Sequence, residues 1–208
     1  PADRLSPERA LAPRLAVNRV TLRSALARLA SERLLSVRQG SGHVVLDYRR
    51  EAGPDLIADL VAIASARARR DAIADLLLVR RQLARALLER LAGGVTAAHR
   101  ARIARALDAL AADAAARAAT AALAEADGAV MTAAVEATGS AVLQLCLNPV
   151  LAVARGLPEL QDAIYAGASR SVAAWRALAA WLEAPSAAHI SPIVEAIAAR
   201  DAQTLARL

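Results

Sequence analysis

From Asp55 to Leu208 apolar residues recur at helical spacing and no strand pattern interrupts them, which commits most of the chain to helix. Hydrophobic residues make up 57% of the sequence and Phe is absent, so Leu, Val, Ile and Ala must build the core. Ala loses no side-chain entropy on entering a helix and reinforces that expectation. Helices are expected near 55–69, 72–92, 96–116, 120–137, 141–154, 159–183 and 189–199, with another starting near Asp201. Gly93-Gly94, Gly139-Ser140, Gly156, Pro158 and Pro185 punctuate them. The spacing predicts one antiparallel, all-α helical bundle over 55–208, reached through a linker at 48–54 that contains Gly53-Pro54.

The stretch Ala137 to Ala154 carries no charge and reaches the lower length limit of a membrane span. Gly139, Ser140, Gln144, Asn148 and Pro149 interrupt it and no aromatic anchors flank it, so a buried helix pair is expected instead. Cys146, the one cysteine, cannot form an internal disulfide and is expected as a small core residue in a reducing, cytoplasmic setting. No basic-then-apolar leader opens the sequence, so no signal peptide is expected.

All 26 basic residues are Arg. Without Lys, a Walker-type phosphate loop cannot be built. Residues 1–50 hold ten Arg and four acids, whereas the other 158 residues hold 16 of each, so the whole net charge of +6 lies in the first quarter. A basic module on a neutral helical body points to a polyanion partner, against the alternative of a merely solvated face.

The local sequence of that module is specific. Ser6-Pro7-Glu8 reads as a helix start, with Ser6 as N-cap and the helix running to about Leu15. Ala16-Val17 makes a turn and Asn18 caps a second helix, with Val17 and Leu22 at the spacing of a hydrophobic staple. Leu22, Leu26 and Leu29 are expected to face the core, and Arg19, Val20, Thr21 and Arg23 to start the opposite face. Leu34 to Gln39 and His43 to Leu46 flank Gly40-Ser41-Gly42 and read as a β-hairpin. Two helices, a tight turn and a hairpin make an N-terminal winged helix-turn-helix over 1–47. Its second helix is fit for the major groove and its wing tip for the minor groove or the phosphates.

The run LSPERALAPRLAVNRVTLRSALARLASERLLSVRQGSGHVV, residues 5–45, resembles the DNA-binding domain of GntR-type regulators. The resemblance implies that Arg9 contacts phosphate or a base, and that Arg19, Thr21 and Arg23 read or clamp DNA from the recognition helix. Asn18 at its cap is either a contact or only a cap. Gln39 and Gly40 would approach the groove from the wing tip. Arg28, Arg33 and His43 are expected to be solvated. Two positions depart from the pattern. Pro13 falls inside the first motif helix, where it removes a backbone hydrogen bond and would kink it, and Ala16 stands where the family usually has Gly, implying a strained turn. The family also has a helix before this segment.

The remainder resembles the effector domain of the FadR subfamily, through GPDLIADLVAI (53–63), LLLVRRQLARALLERLA (76–92) and HISPIVEAIAARDAQTLA (189–206). Such domains are homodimers that bind a small organic acid or an acyl-CoA and thereby change the spacing of two DNA readers. Many hold a divalent metal with an Asp, a His four residues later and two further His about 22 residues apart. Asp127 aligns with that Asp and His189 with one later His, but Met131 replaces the first His and the remaining position falls past Leu208. The set is incomplete, so no metal cofactor is expected, and Asp127 and His189 are kept as ligand-pocket candidates.

Arg80 lies in an apolar helix face with Leu76, Leu77, Val79 and Leu83 and matches an Arg that the subfamily uses near its ligand. It would hold a ligand carboxylate or phosphate, or pair with an acid such as Asp75 or Asp127. Trp175 and Trp181 read as core or interface residues and His99 as a surface residue.

The sequence shows no glycine-rich phosphate loop, nucleophile elbow, His pair or framed carboxylate pair, so no enzyme is expected. These readings predict a ligand-responsive transcriptional regulator, a dimeric repressor of a metabolic operon acting on a short palindromic operator. The alternative is a helical scaffold without sequence-specific DNA binding, for which the charge partition and the wing would have no purpose.

Overall fold

The computed structural model describes residues 3–38 and 42–208. The chain divides into two compact units, Pro1–Ile57 and Ala58–Leu208.

The first unit opens with helix α1, Glu8–Arg14. Pro7 is its N-cap and makes no side-chain capping bond, which corrects the reading of Ser6 as cap. The Ser6 hydroxyl instead accepts a hydrogen bond from Arg14 at 3.4 Å. Pro13 lies inside α1, which ends one residue later. Helix α2, Arg19–Ser31, starts where Asn18 Oδ1 accepts from the Thr21 amide at 2.8 Å. Strands β1 (Leu35–Arg38) and β2 (Gly42–Val45) pair antiparallel with Leu35 opposite Val45. The segment before α1 adds a bridge to this sheet, the Leu5 amide donating to His43 O and the Val45 amide to Asp3 O.

Ala12, Leu22, Leu26 and Leu35 form the core of this unit. Leu29, expected among them, is 36% exposed, and the core takes its neighbour Ala30 instead. The proposed linker is not irregular: it contains helix α3, Tyr48–Glu51, and a single 3-10 turn at Pro54–Leu56.

The turn after α1 shows what Ala16 does. The Val17 amide bonds to Ala12 O and the Ala16 amide to Pro13 O, a Schellman motif that needs a left-handed residue between them. Ala16 fills that position at φ 52°. Arg117 does the same after the later helix Ala97–Ala115, at φ 52°, with Ala118 bonded to Asp113 O. A non-glycine residue there is strained, and Gly would relieve it at some cost in unfolded-chain entropy. Ala16→Gly and Arg117→Gly are each expected to raise stability by about 0.5–1 kcal/mol in chemical denaturation. A loss of stability in both would show that the turns are not strained.

The second unit is all helix: α4 (Ile57–Ile63), α5 (Ala66–Ala92), α6 (Ala97–Ala115), α7 (Thr120–Glu136), α8 (Ala141–Gly156), α9 (Pro158–Tyr165), α10 (Ala168–Trp181) and α11 (Ile190–Leu205). Three boundaries differ from the sequence reading. The first break falls at Ala64-Ser65, where Ser65 caps α5. The helix expected at 159–183 is divided at Ala166-Gly167. The last helix runs unbroken through Asp201.

Leu91, Leu110, Val130 and Ala134 are fully buried at the centre of the main core, and Trp175 lines it. Arg69 ties three elements together: its Nε and NH2 donate to Val61 O and Ala62 O at the end of α4, and NH1 to Glu159 on α9. In α8 the buried stripe is Leu147, Pro149, Val150 and Val153, leaving Val142, Leu145 and Cys146 exposed. That corrects the placement of Cys146 in the core. Among the described residues no single helix is long and apolar enough to cross a membrane, although α8 and α9, bent by 93°, satisfy the length and composition test as a pair.

Candidate nucleic-acid interface and ligand cavity

The first turns of α2 place Arg19, Thr21 and Arg23 at an exposed helix end. The Asn18 cap satisfies the Thr21 amide, so Asn18 has a structural role whether or not it also meets DNA. The positive end of the helix dipole and the guanidinium of Arg19 then act on the same region. Among the described residues Arg19 and Arg9 have no ion-pair or hydrogen-bond partner, so both side chains are free to bind an anion. Arg23 is different: its NH2 lies 3.0 Å from Glu8 Oε2, tying α2 to α1. To reach DNA it must leave or share that carboxylate. Arg28, 72% exposed, pairs with Glu32, the C-cap of its own helix. Gln39 and Gly40 lie outside the described residues.

Two helices in this order, the second presenting arginines from its N-terminal end, followed by an antiparallel hairpin, define a winged helix-turn-helix domain. Residues 1–45 match the model of the bacterial regulatory proteins, gntR family.

An uncharacterized HTH-type transcriptional regulator of Mycobacterium tuberculosis is 44% identical over 78 residues, covering 32% of this chain and 32% of that protein. The HTH-type transcriptional regulator Mce2R of the same species is 46% identical over 61 residues, covering 29% of this chain and 25% of that protein. This chain thus spans less than a third of the length of these curated relatives. Among solved structures, Lar of Listeria monocytogenes, which controls expression of the agr system there, superposes with a TM-score of 0.63 at 13% identity, over 100% of this chain and 86% of that one. Streptococcus agalactiae GntR gives 0.51 at 21%, over 99% and 89%. At such identities the likeness is one of fold: a winged helix-turn-helix followed by a helical domain.

The second unit holds a partly open cavity of about 80 Å³. Its charged lining is Arg80 from α5, Asp127 from α7, Arg155 from α8, and Arg200 and Asp201 from α11. Arg80 NH2 donates to Asp201 Oδ1, so the acid that pairs with it is neither Asp75 nor Asp127. Burial pushes the Asp201 carboxyl up, against the pull of Arg80, and pushes the Arg200 guanidinium down. Asp127 accepts from Trp175 Nε1 at 2.5 Å and from the Tyr165 hydroxyl at 3.1 Å. Burial, and then Asp127 itself, raises Tyr165 well above the ordinary phenol range, so it remains a donor.

Of the three pocket candidates, the fold brings Arg80 and Asp127 to one cavity and leaves His189 out. His189 is exposed at the N-cap of α11 and does not line the cavity. Among the described residues no group of three or more His, Cys, Asp or Glu is placed to hold a metal ion. Val79, read as part of the Arg80 face, is 53% exposed, and the buried residues of α5 are Ile73, Leu76, Leu77, Ala84, Leu87, Leu88 and Leu91. The sequence reading missed Arg200 and Asp201. Their signal in the sequence is an adjacent charge pair inside an Ala-rich stretch, where a new helix is expected to start near Asp201.

Proposed function

We propose that this chain is a transcriptional regulator of GntR type, in which residues 1–47 read DNA and residues 55–208 sense a small molecule. The observation that carries this is Arg19, exposed and without a partner among the described residues on the capped first turn of α2, inside a segment that matches the GntR model. Arg9 and Thr21 extend that surface, and the free end of the α2 dipole favours phosphate. In this reading two copies bind as a homodimer, each winged unit taking one half of a short palindrome in the manner of a repressor. The effector is an anion held in the Arg80 cavity, and at about 80 Å³ that cavity suits a small organic acid rather than a long acyl-CoA chain. The ligand acts by binding the DNA-competent and incompetent states unequally.

Titration of the full chain into labelled duplex DNA tests this directly. Each phosphate contact is worth about −0.9 in the slope of log affinity against log salt. Several Arg contacts from two copies should therefore weaken binding by roughly three orders of magnitude between about 50 and 200 mM salt. Binding insensitive to salt, or none at low salt, would remove the proposal.

A further inference from the structure

Val20 is the most exposed large apolar side chain described in the first unit, at 75%. It sits in the first turn of α2, between Arg19 and Thr21, and is not among the residues that form or pack against the core of that unit. Val is also a weaker helix former than Ala, because its branched side chain is restricted at χ1. Neither packing nor helix propensity accounts for a Val at this position.

At about 3.6 residues per turn, Val20, Ser24 and Ala27 follow one another down a single face of α2, and all three are exposed. Leu22 and Leu26 take the face turned inward. Arg19 and Arg23 fall on one flank of the outward stripe, and Thr21 and Arg28 on the other. The leading edge of the helix thus carries short, uncharged side chains, with longer polar ones to either side. A helix is about 10–12 Å across with its side chains, and the major groove is about 12 Å wide. Short residues at the leading edge let such a helix seat close to the base edges while its flanks meet the phosphates.

At those edges the C5-methyl of thymine is the one apolar group in the major groove. Resting on the reading of residues 1–47 as a DNA reader, we infer that Val20 is a specificity-determining residue whose side chain packs on the methyl of one thymine in each half-site. Both groups are wetted in the free molecules and leave water together in the complex. Cytosine at the same place would turn its amino donor toward Val20, which has nothing to accept with, so that donor would lose water without gaining a partner.

The test uses the duplex that the full chain selects from a random-sequence library, remade with deoxyuridine in place of thymidine at one base pair at a time. Uracil pairs as thymine does and lacks only the methyl group. At one thymine of a half-site the change should weaken wild-type binding about fourfold, the worth of one buried methyl-sized group. Changing its counterpart in the other half-site as well should multiply the loss. Val20→Ala should bind the thymine and uracil duplexes equally, with an unchanged melting curve, because the side chain is exposed and Ala favours the helix. Wild type indifferent to every such change, or Val20→Ala retaining the preference for thymine, overturns the inference while the selected duplex still upholds the regulator reading. Failure to select any duplex overturns both.

Discussion

Arg80→Ala is expected to destabilise the helical unit by about 3 kcal/mol, the lower end of the range for stranding one member of a buried ion pair. The lower end applies because the Arg80 side chain is 27% exposed, so water recovers part of the lost solvation for Asp201, itself 9% exposed. The midpoint should fall by roughly 6–12 °C for a unit of this size. Asp201→Leu in the Arg80→Ala background should restore most of the loss, since two neutral side chains leave no stranded charge. Melting must be followed with a probe of the helical unit, such as Trp175 fluorescence, because the two units need not unfold together. A double variant no more stable than the single would show that the pair is not coupled.

Arg19→Ala should weaken binding to a specific duplex by about 1–3 kcal/mol, roughly one to two orders of magnitude, with the melting curve unchanged. The side chain is exposed and has no partner among the described residues to lose, so the effect belongs to the complex. Arg23→Ala should cost less. Glu8 already offsets the Arg23 charge at 3.0 Å, and releasing it for DNA forfeits that contact. Equal affinity of wild type and Arg19→Ala on a selected duplex would take α2 out of the groove.

The winged unit was the more legible part of the chain because its signals are local. Asn18 followed by Arg19, Leu22 and Leu26 specifies a cap and a buried stripe within a few residues, and both are present. Gly at position 42, at φ 74°, opens the second strand of the hairpin where the sequence put the turn. Ala16 stood out because the family resemblance implies Gly at that position, and it takes up the left-handed φ of 52° there.

The cavity was half legible for the opposite reason. Arg80 stands out as a charge on a helix face with Leu76, Leu77 and Leu83, but its partner lies 121 positions away on α11. No periodicity links the two, and Asp201 imitates a helix cap. Residues 196–206 hold neither Gly nor Pro and are rich in Ala, and α11 runs through Asp201 without a break. Trp175 likewise reads only as a core or interface residue, and the bonds of Trp175 and Tyr165 to Asp127 are set by the packing of α7, α9 and α10. His189 illustrates the converse: alignment made it a pocket candidate, and its place at an exposed helix start keeps it from the cavity.

The most direct test of the central claim is selection of bound duplexes from a random-sequence library by the full chain, at a salt concentration that suppresses non-specific binding. The account predicts enrichment of one inverted repeat, with half-sites about one helical turn apart, and loss of that enrichment with Arg19→Ala. Recovery of duplexes with no common sequence, from wild type and variant alike, would contradict it.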